Sequence, residues 1–224
     1  MHVIVTGANR GIGLALVRQL LARGDTVEAA CRRPAEASEL RATGARIHGV
    51  DIASGASVAA FAHALDGAAI DLVINNAGMY GDPRQRLEEF DYEAAMRTFE
   101  TNALGALRVS QAFVPHLRRG TGKKLAHISS NLGSIDATTS PGDLAYRMSK
   151  TALNMISKSI AAELHADHII SIVVHPGWVR TDMGGPEAPL TPAESARGIL
   201  MQIDAAGFVD SGAFVDYRGE RCAW

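Results

Sequence analysis

Seven short apolar stretches alternate with stretches of helical spacing, and no other feature limits the possible folds as much. His2–Thr6 (HVIVT), Thr26–Cys31 (TVEAAC), Arg46–Val50 (RIHGV), Asp71–Asn75 (DLVIN), Leu125–Ser129 (LAHIS), Ile169–His175 (IISIVVH) and Ala213–Tyr217 (AFVDY) read as strands. Gly11–Arg23 reads as a helix with Leu16 and Leu20 on one stripe and Leu14, Val17 and Leu21 on another, so it is covered on several sides. Gly24 stops it. Pro34 opens a polar helical stretch reaching Thr43. Ser54–Leu65 puts Val58, Phe61, Ala62 and Leu65 on one face, and a long helical pattern runs from Phe90 to Leu117. Another starts at Asp143 or Leu144 and reaches His165. Thr191 and Pro192 supply the N-cap and first residue of the last helix.

Strands separated by helices require crossover connections, which are right-handed and make neighbouring strands parallel. Strands covered on both faces are apolar throughout, as these are. The pattern predicts an α/β chain: a single doubly wound Rossmann-type domain over residues 1–224. About seven parallel strands, in the order 3-2-1-4-5-6-7 with helices on both faces, place the ligand beyond the strands' carboxyl ends. Hydrophobic content of 47% excludes a disordered chain. With 22 Lys and Arg against 24 Asp and Glu, the net charge of −2 argues against a basic nucleic-acid binder. No apolar run reaches the roughly 18–20 residues of a membrane helix, and no leader is expected ahead of the first strand. Cys31 and Cys222 make no disulfide framework, which points to a reduced cytoplasm. The eight histidines show no metal-ligand spacing, so no catalytic metal is expected.

The turn after the first strand, Thr6-Gly7-Ala8-Asn9-Arg10-Gly11-Ile12-Gly13, is the first candidate site. Gly7 can make the tight turn, Gly11 lets a phosphate approach the backbone, and Gly13 lets the helix pack close to the sheet. The helix start offers unpaired N–H groups and partial positive charge. A turn without a ligand can carry the same glycines. The strand before it and the helix after it favour a bound dinucleotide, with Asn9, Arg10 and Ile12 beside it.

An acidic residue ending the second strand would grip a ribose 2′-hydroxyl. The chain has Cys31-Arg32-Arg33 there, and Glu28 lies back inside the strand. Arg32, with Arg10 approaching from the first turn, suits a 2′-phosphate through charge-assisted, bidentate bonds. NADP is therefore expected ahead of NAD; the plain alternative is that both arginines are solvated. Asp51 and Ile52 follow the third strand and are expected near the adenine, with helix capping as the alternative for Asp51.

Asn75-Asn76-Ala77-Gly78, Asn102, Ser129-Ser130, Tyr146-Arg147-Met148-Ser149-Lys150 and Pro176-Gly177 follow the glycine turn in order. This ordered set resembles the short-chain dehydrogenase/reductase family from the first strand almost to the C-terminus. His127–Ile135, Ala145–Asn154 and the ending Ala223-Trp224 resemble its small carbonyl-reductase and C-factor-like branch.

Tyr146 and Lys150 are four apart on a predicted helix and share a face. A free phenol, with a pKa of about 10, exchanges protons poorly near pH 7. A nearby ammonium favours phenolate and lowers that value. Tyr146 then serves as general acid in reduction or general base in oxidation. Ser130, just past the fifth strand, is placed to hydrogen-bond a substrate carbonyl oxygen. In the family the serine stands closer to the tyrosine, where this chain has Gly133. An insertion between Ser130 and Pro141 accounts for the offset, and Ser129 and Ser134 stay open as alternatives.

The resemblance implies further roles. Asn102 distorts its helix and holds a water in a proton relay to Lys150, which also holds the nicotinamide ribose. Asn76, Ala77 and Gly78 approach the adenosine ribose. Pro176 and Gly177 turn the chain toward the nicotinamide, where Val179 and Thr181 meet the carboxamide or pyrophosphate. A homodimer or homotetramer forms through the helices at 90–117 and 143–165. The expected activity is NADP(H)-dependent hydride transfer between nicotinamide and a small carbonyl or alcohol, as in a carbonyl reductase, with no nucleic-acid or membrane partner. Two alternatives are an alcohol dehydrogenase working oxidatively and an NADP-binding regulatory or signalling protein with little turnover. Met79, Tyr80, Leu132, Trp178, Met183 and Trp224 are apolar candidates for the substrate mouth.

Overall fold

A computed structural model describes residues 1–224. The strands are β1 (His2–Thr6), β2 (Thr26–Cys31), β3 (Arg46–Gly49), β4 (Leu72–Asn75), β5 (Lys124–Ile128), β6 (Ile170–His175) and β7 (Phe214–Asp216). The helices are α1 (Gly11–Ala22), α2 (Ser38–Arg41), α3 (Gly55–Ala64), α4 (Tyr92–Phe99), α5 (Ala106–Arg119), α6 (Leu144–Glu163) and α7 (Pro192–Ala205). All seven strands form one parallel sheet in the order β3-β2-β1-β4-β5-β6-β7, as expected. The order reverses between β1 and β4, where chain connections leave in opposite directions and open a crevice at the strands' carboxyl ends.

Two apolar layers hold the sheet. Val3, Val5 and Ile74 pack against Leu16 and Leu20 of α1 and Ile199 and Ile203 of α7. On the opposite face, Ile4, Val73 and Leu125 meet Phe61, Phe113, Leu117 and Ile160 from α3, α5 and α6. Consecutive strand residues point to opposite faces, so β1 must be apolar at every position between these layers. No helix is long and apolar enough to cross a membrane.

Three local expectations change. The polar stretch after Pro34 is a 3-10 turn (Pro34–Glu36) followed by the single turn of α2, because only Ala37 and Leu40 anchor it in the core. The long 90–117 pattern is divided into α4, a π-helical stretch over Glu100–Gly105, and α5. The widened turn admits one more residue than an α-turn and lets Asn102 reach backward. Asp51 does not cap α3: Ser54 does, accepting from the Ser57 N–H, while Asp51 makes a local turn by accepting from Ala53. The start of α7 is as expected, with a reciprocal box between Thr191 and Glu194.

Glu28 is fully buried in β2, between β1 and β3. Its carboxylate accepts from His2 Nε2 at 2.9 Å, Arg46 at 3.0 Å and His48 Nε2 at 2.6 Å. Burial alone would raise its pKa, but these hydrogen bonds outweigh burial and hold it below the usual 4.5. A depressed carboxylate contributes stability that is complete above its unfolded value and lost as pH falls through the folded one. Glu28→Gln should therefore destabilise the protein at pH 7. It should also flatten the loss of denaturant midpoint seen below about pH 4.5, measured by urea titration across pH.

Candidate active site

At the end of β1 the backbone of α1 comes unusually close. A side chain on Gly13 would place its Cβ 2.2 Å from the Gly7 carbonyl oxygen and 2.6 Å from Asn76 Nδ2. Gly7 has φ +65°, and a Cβ there would lie 2.7 Å from Ala77 Cα. Asn76 bridges the turn by donating to the carbonyls of Thr6 and Gly7, and Thr6 Oγ accepts from the N–H groups of Asn76 and Ala77. The ends of β1 and β4 are thereby tied into one floor.

The N–H groups of Gly11, Ile12 and Gly13 have no acceptor in the chain. Arg10 precedes α1 without capping it, and the first turn holds no acidic residue. Open donors, the positive end of a helix dipole and a cradle without side chains fit the pyrophosphate of a dinucleotide. They lie in a cleft of about 800 Å³ along the carboxyl ends of the strands. Asn9, Asp51, Ile52, Gly78, Pro176 and Thr181 line the same cleft. Gly177 and Val179 do not line it. Gly177 turns with φ +81° against Leu190 and Tyr217, and buried Val179 bridges to Leu190.

Arg32 lines the cleft with no acidic partner, whereas Arg33 pairs with Glu36 at 3.2 Å. Arg10 pairs with Asp182 on the loop after β6, so it latches that loop to the glycine turn. Asp182 is 172 residues away in sequence, and no local pattern announces the pair.

Tyr146 and Lys150 sit on the buried first turns of α6 and both face the cleft. Lys150 Nζ stands 5.7 Å from the centroid of the Tyr146 ring and donates to the Ile128 carbonyl at 2.8 Å. Burial pushes the Lys150 ammonium down to about 8. Burial likewise pushes the Tyr146 phenol up to about 12, against a hydrogen bond from Ser130 that favours phenolate. The expected lowering by lysine is not seen: desolvation dominates, and the phenol holds its proton.

Of the three serines in question, Ser130 is the one whose hydroxyl acts on that phenol, favouring phenolate, while its Oγ also caps the following turn by accepting from the Leu132 N–H at 3.1 Å. Ser129 donates to Asn154 at 2.6 Å, and Ser134 is occupied by the Trp224 carbonyl and the Ala137 N–H. His175 holds the serine turn by accepting from the Asn131 N–H. Asn102 acts as a clamp: its Oδ1 accepts from Met79 N–H, and its Nδ2 donates to the Met79 carbonyl and Ser149 Oγ. Both amide protons are thus committed to protein. Met79 and Met183 line the cleft, and the Tyr80 ring lies 5.3 Å from that of Tyr146. Trp178 is exposed at the loop after β6, while Trp224 packs on Phe214 instead of the cleft lining.

The family model for short chain dehydrogenases matches residues 1–189. The chain belongs to this family. It is an oxidoreductase of this family acting on C=O or CH–OH groups. C-signal of Myxococcus xanthus is 46% identical over 155 residues, covering 69% of this chain and 93% of that protein. The 1-hydroxy-2-glutathionyl-2-methyl-3-butene dehydrogenase of Rhodococcus sp. strain AD45 is 35% identical over 230 residues, covering 99% of each. The NADPH-bound carbonyl reductase from chicken fatty liver superposes with a TM-score of 0.92 at 32% identity, covering 100% of this chain and 98% of that one.

The close approach at Gly13 carries its own test. Gly13→Ala forces backbone apart at the floor of the cleft and should lower stability by about 1–3 kcal/mol. Urea unfolding should show the lower midpoint, and a fluorescence titration should show weakened nucleotide binding.

Proposed function

We propose that this chain is an NADPH-dependent carbonyl reductase in which Tyr146 is the proton donor. Tyr146 and Lys150 together in the glycine-floored cleft, with the Ser130 hydroxyl acting on the phenol, carry this reading. A phenol that keeps its proton suits reduction, in which the carbonyl oxygen must receive one. Ser130 polarises that oxygen as negative charge develops. Lys150 supplies positive charge on the far side of the phenol and a donor for a ribose hydroxyl. Asn102 keeps the strand-β4 turn and α6 in register. NADPH, when bound, supplies the hydride; the protein contributes orientation, a dry site and the proton.

Arg32 selects the cofactor. It is a guanidinium without an acidic partner where a 2′-phosphate-bearing ribose would lie; no carboxylate ends β2, and Glu39, which also lines the cleft, is held by Arg18 at 2.8 Å. The NADPH in the chicken reductase supports the same choice. The substrate is a small carbonyl compound with an apolar body, received between Tyr80, Met79 and Met183. A homo-oligomer and a role running the reaction oxidatively are compatible with these groups.

A second reading has a specific observation behind it, the 46% identity to C-signal. On that reading the chain binds NADP and signals with little turnover. NADPH consumption with a panel of aldehydes, ketones and quinones separates the two, since a signalling protein binds the cofactor and consumes none. Tyr146→Phe should abolish turnover while leaving NADPH affinity within about two-fold, because the lost hydroxyl serves proton transfer. Arg32→Ala should raise the NADPH Kd about ten-fold or more, through the loss of a charge-assisted contact, and leave NADH binding unchanged. Equal effects on both nucleotides in a titration would remove Arg32 from the selecting role.

A further inference from the structure

The N-terminus of α6 is not capped by its own sequence. Asp143 precedes it in a left-handed conformation, with φ +59°, and its side chain accepts from no N–H of the helix. The first N–H groups of a helix need acceptors from elsewhere, and Tyr146 belongs to this first turn.

Gln85 supplies them from the loop after β4. Its main-chain carbonyl accepts from the Leu144 N–H at 3.1 Å, and its Oε1 accepts from the Tyr146 N–H at 2.9 Å. The same amide donates through Nε2 to the carbonyls of Tyr80 at 3.0 Å and Asp82 at 2.8 Å. Gln85 is 2% exposed, so each of these bonds is made away from water, where an unmet partner is costly. The segment it fastens carries Tyr80, whose hydroxyl donates to Asp143 and whose ring faces Tyr146.

We propose that Gln85 is a positioning residue for the reaction: it caps α6 from another loop, fixing the Tyr146 phenol in the cleft and holding Tyr80 as a wall beside it. This rests on the reading of Tyr146 as proton donor. The residue type matters, because one planar amide provides both the acceptor for Tyr146 and the donors for the 80–82 segment. Glutamate keeps the acceptor and loses the donors; methionine fills the same space and loses both. A small displacement of a proton donor is enough to slow the chemical step strongly.

Gln85→Met and Gln85→Glu are compared with the wild-type chain by steady-state kinetics across pH, NADPH titration and amide hydrogen exchange resolved at residues 144–147. Gln85→Met should reduce kcat about ten-fold or more, since the proton donor is mispositioned. NADPH affinity should stay within about two-fold, and exchange at Tyr146 should accelerate ahead of the rest of α6. Gln85→Glu should retain protection at the Tyr146 amide. With its acceptor kept, Gln85→Glu should also recover part of the kcat lost in Gln85→Met.

Wild-type kcat with unchanged Tyr146 exchange in Gln85→Met would overturn the proposal. So would a loss of kcat matched by equal losses in NADPH affinity and in protection along all of α6, or a kcat in Gln85→Glu no higher than in Gln85→Met. The exchange measurement needs no turnover. If the wild-type chain reduces no carbonyl, the reductase reading fails on its own, and the cap still stands or falls on the Tyr146 amide.

Discussion

Main chain packs directly on main chain where α1 starts against the ends of β1 and β4. Gly13 leaves no room for a methyl group above the Gly7 carbonyl, and Asn76 spans the remaining gap with two hydrogen bonds. Everything beyond the strand ends is placed relative to this floor. The open N–H groups of α1 point into the cleft because the helix sits so low. The turn after β4 runs beneath Met79 because Thr6 holds its first two amides. From Met79 the chain of contacts passes through Asn102 to Ser149 and so to α6.

Burial does the electrostatic work at the other end of the cleft. The same exclusion of water moves two groups in opposite directions, the phenol up to about 12 and the ammonium down to about 8. Each shift favours the neutral form, as removal from water must. Tyr146 therefore keeps its proton near neutral pH, beside an amine that is close to its own titration point. Ser130 opposes the shift on Tyr146 by favouring phenolate. His127, fully buried on β5 behind Lys150, is held down to about 4 by burial and by the lysine, so it adds no charge to the site.

The elements were legible because each announces itself locally. The apolar runs, the glycine turn and the Thr191-Pro192 start recur in the structure within a residue or two. Tyr146 and Lys150 could be placed together because helical spacing is short-range information. The π-helical turn was harder to see: Asn102 hinted at a distortion, but the α4 and α5 pattern continues smoothly across it. The choice among Ser129, Ser130 and Ser134 was also closed to pattern alone. It depends on which hydroxyl acts on the phenol: Ser129 is turned to Asn154 and Ser134 to Trp224, while Ser130 caps the next turn and still favours phenolate at Tyr146. Arg10 stands in the glycine turn as a cation suited to a phosphate, yet its partner Asp182 lies on a loop that only the fold brings near.

The sequence by itself determined the alternation of strands and helices, the parallel sheet and the identity of the groups able to carry chemistry, since these follow from spacing, turn residues and side-chain type. The tertiary structure decided which groups meet water and which meet each other. Desolvation, the trans cap on α6 and the latch at Arg10 each depend on atoms far apart in the chain. No one-dimensional pattern encodes the distance or the dielectric between them.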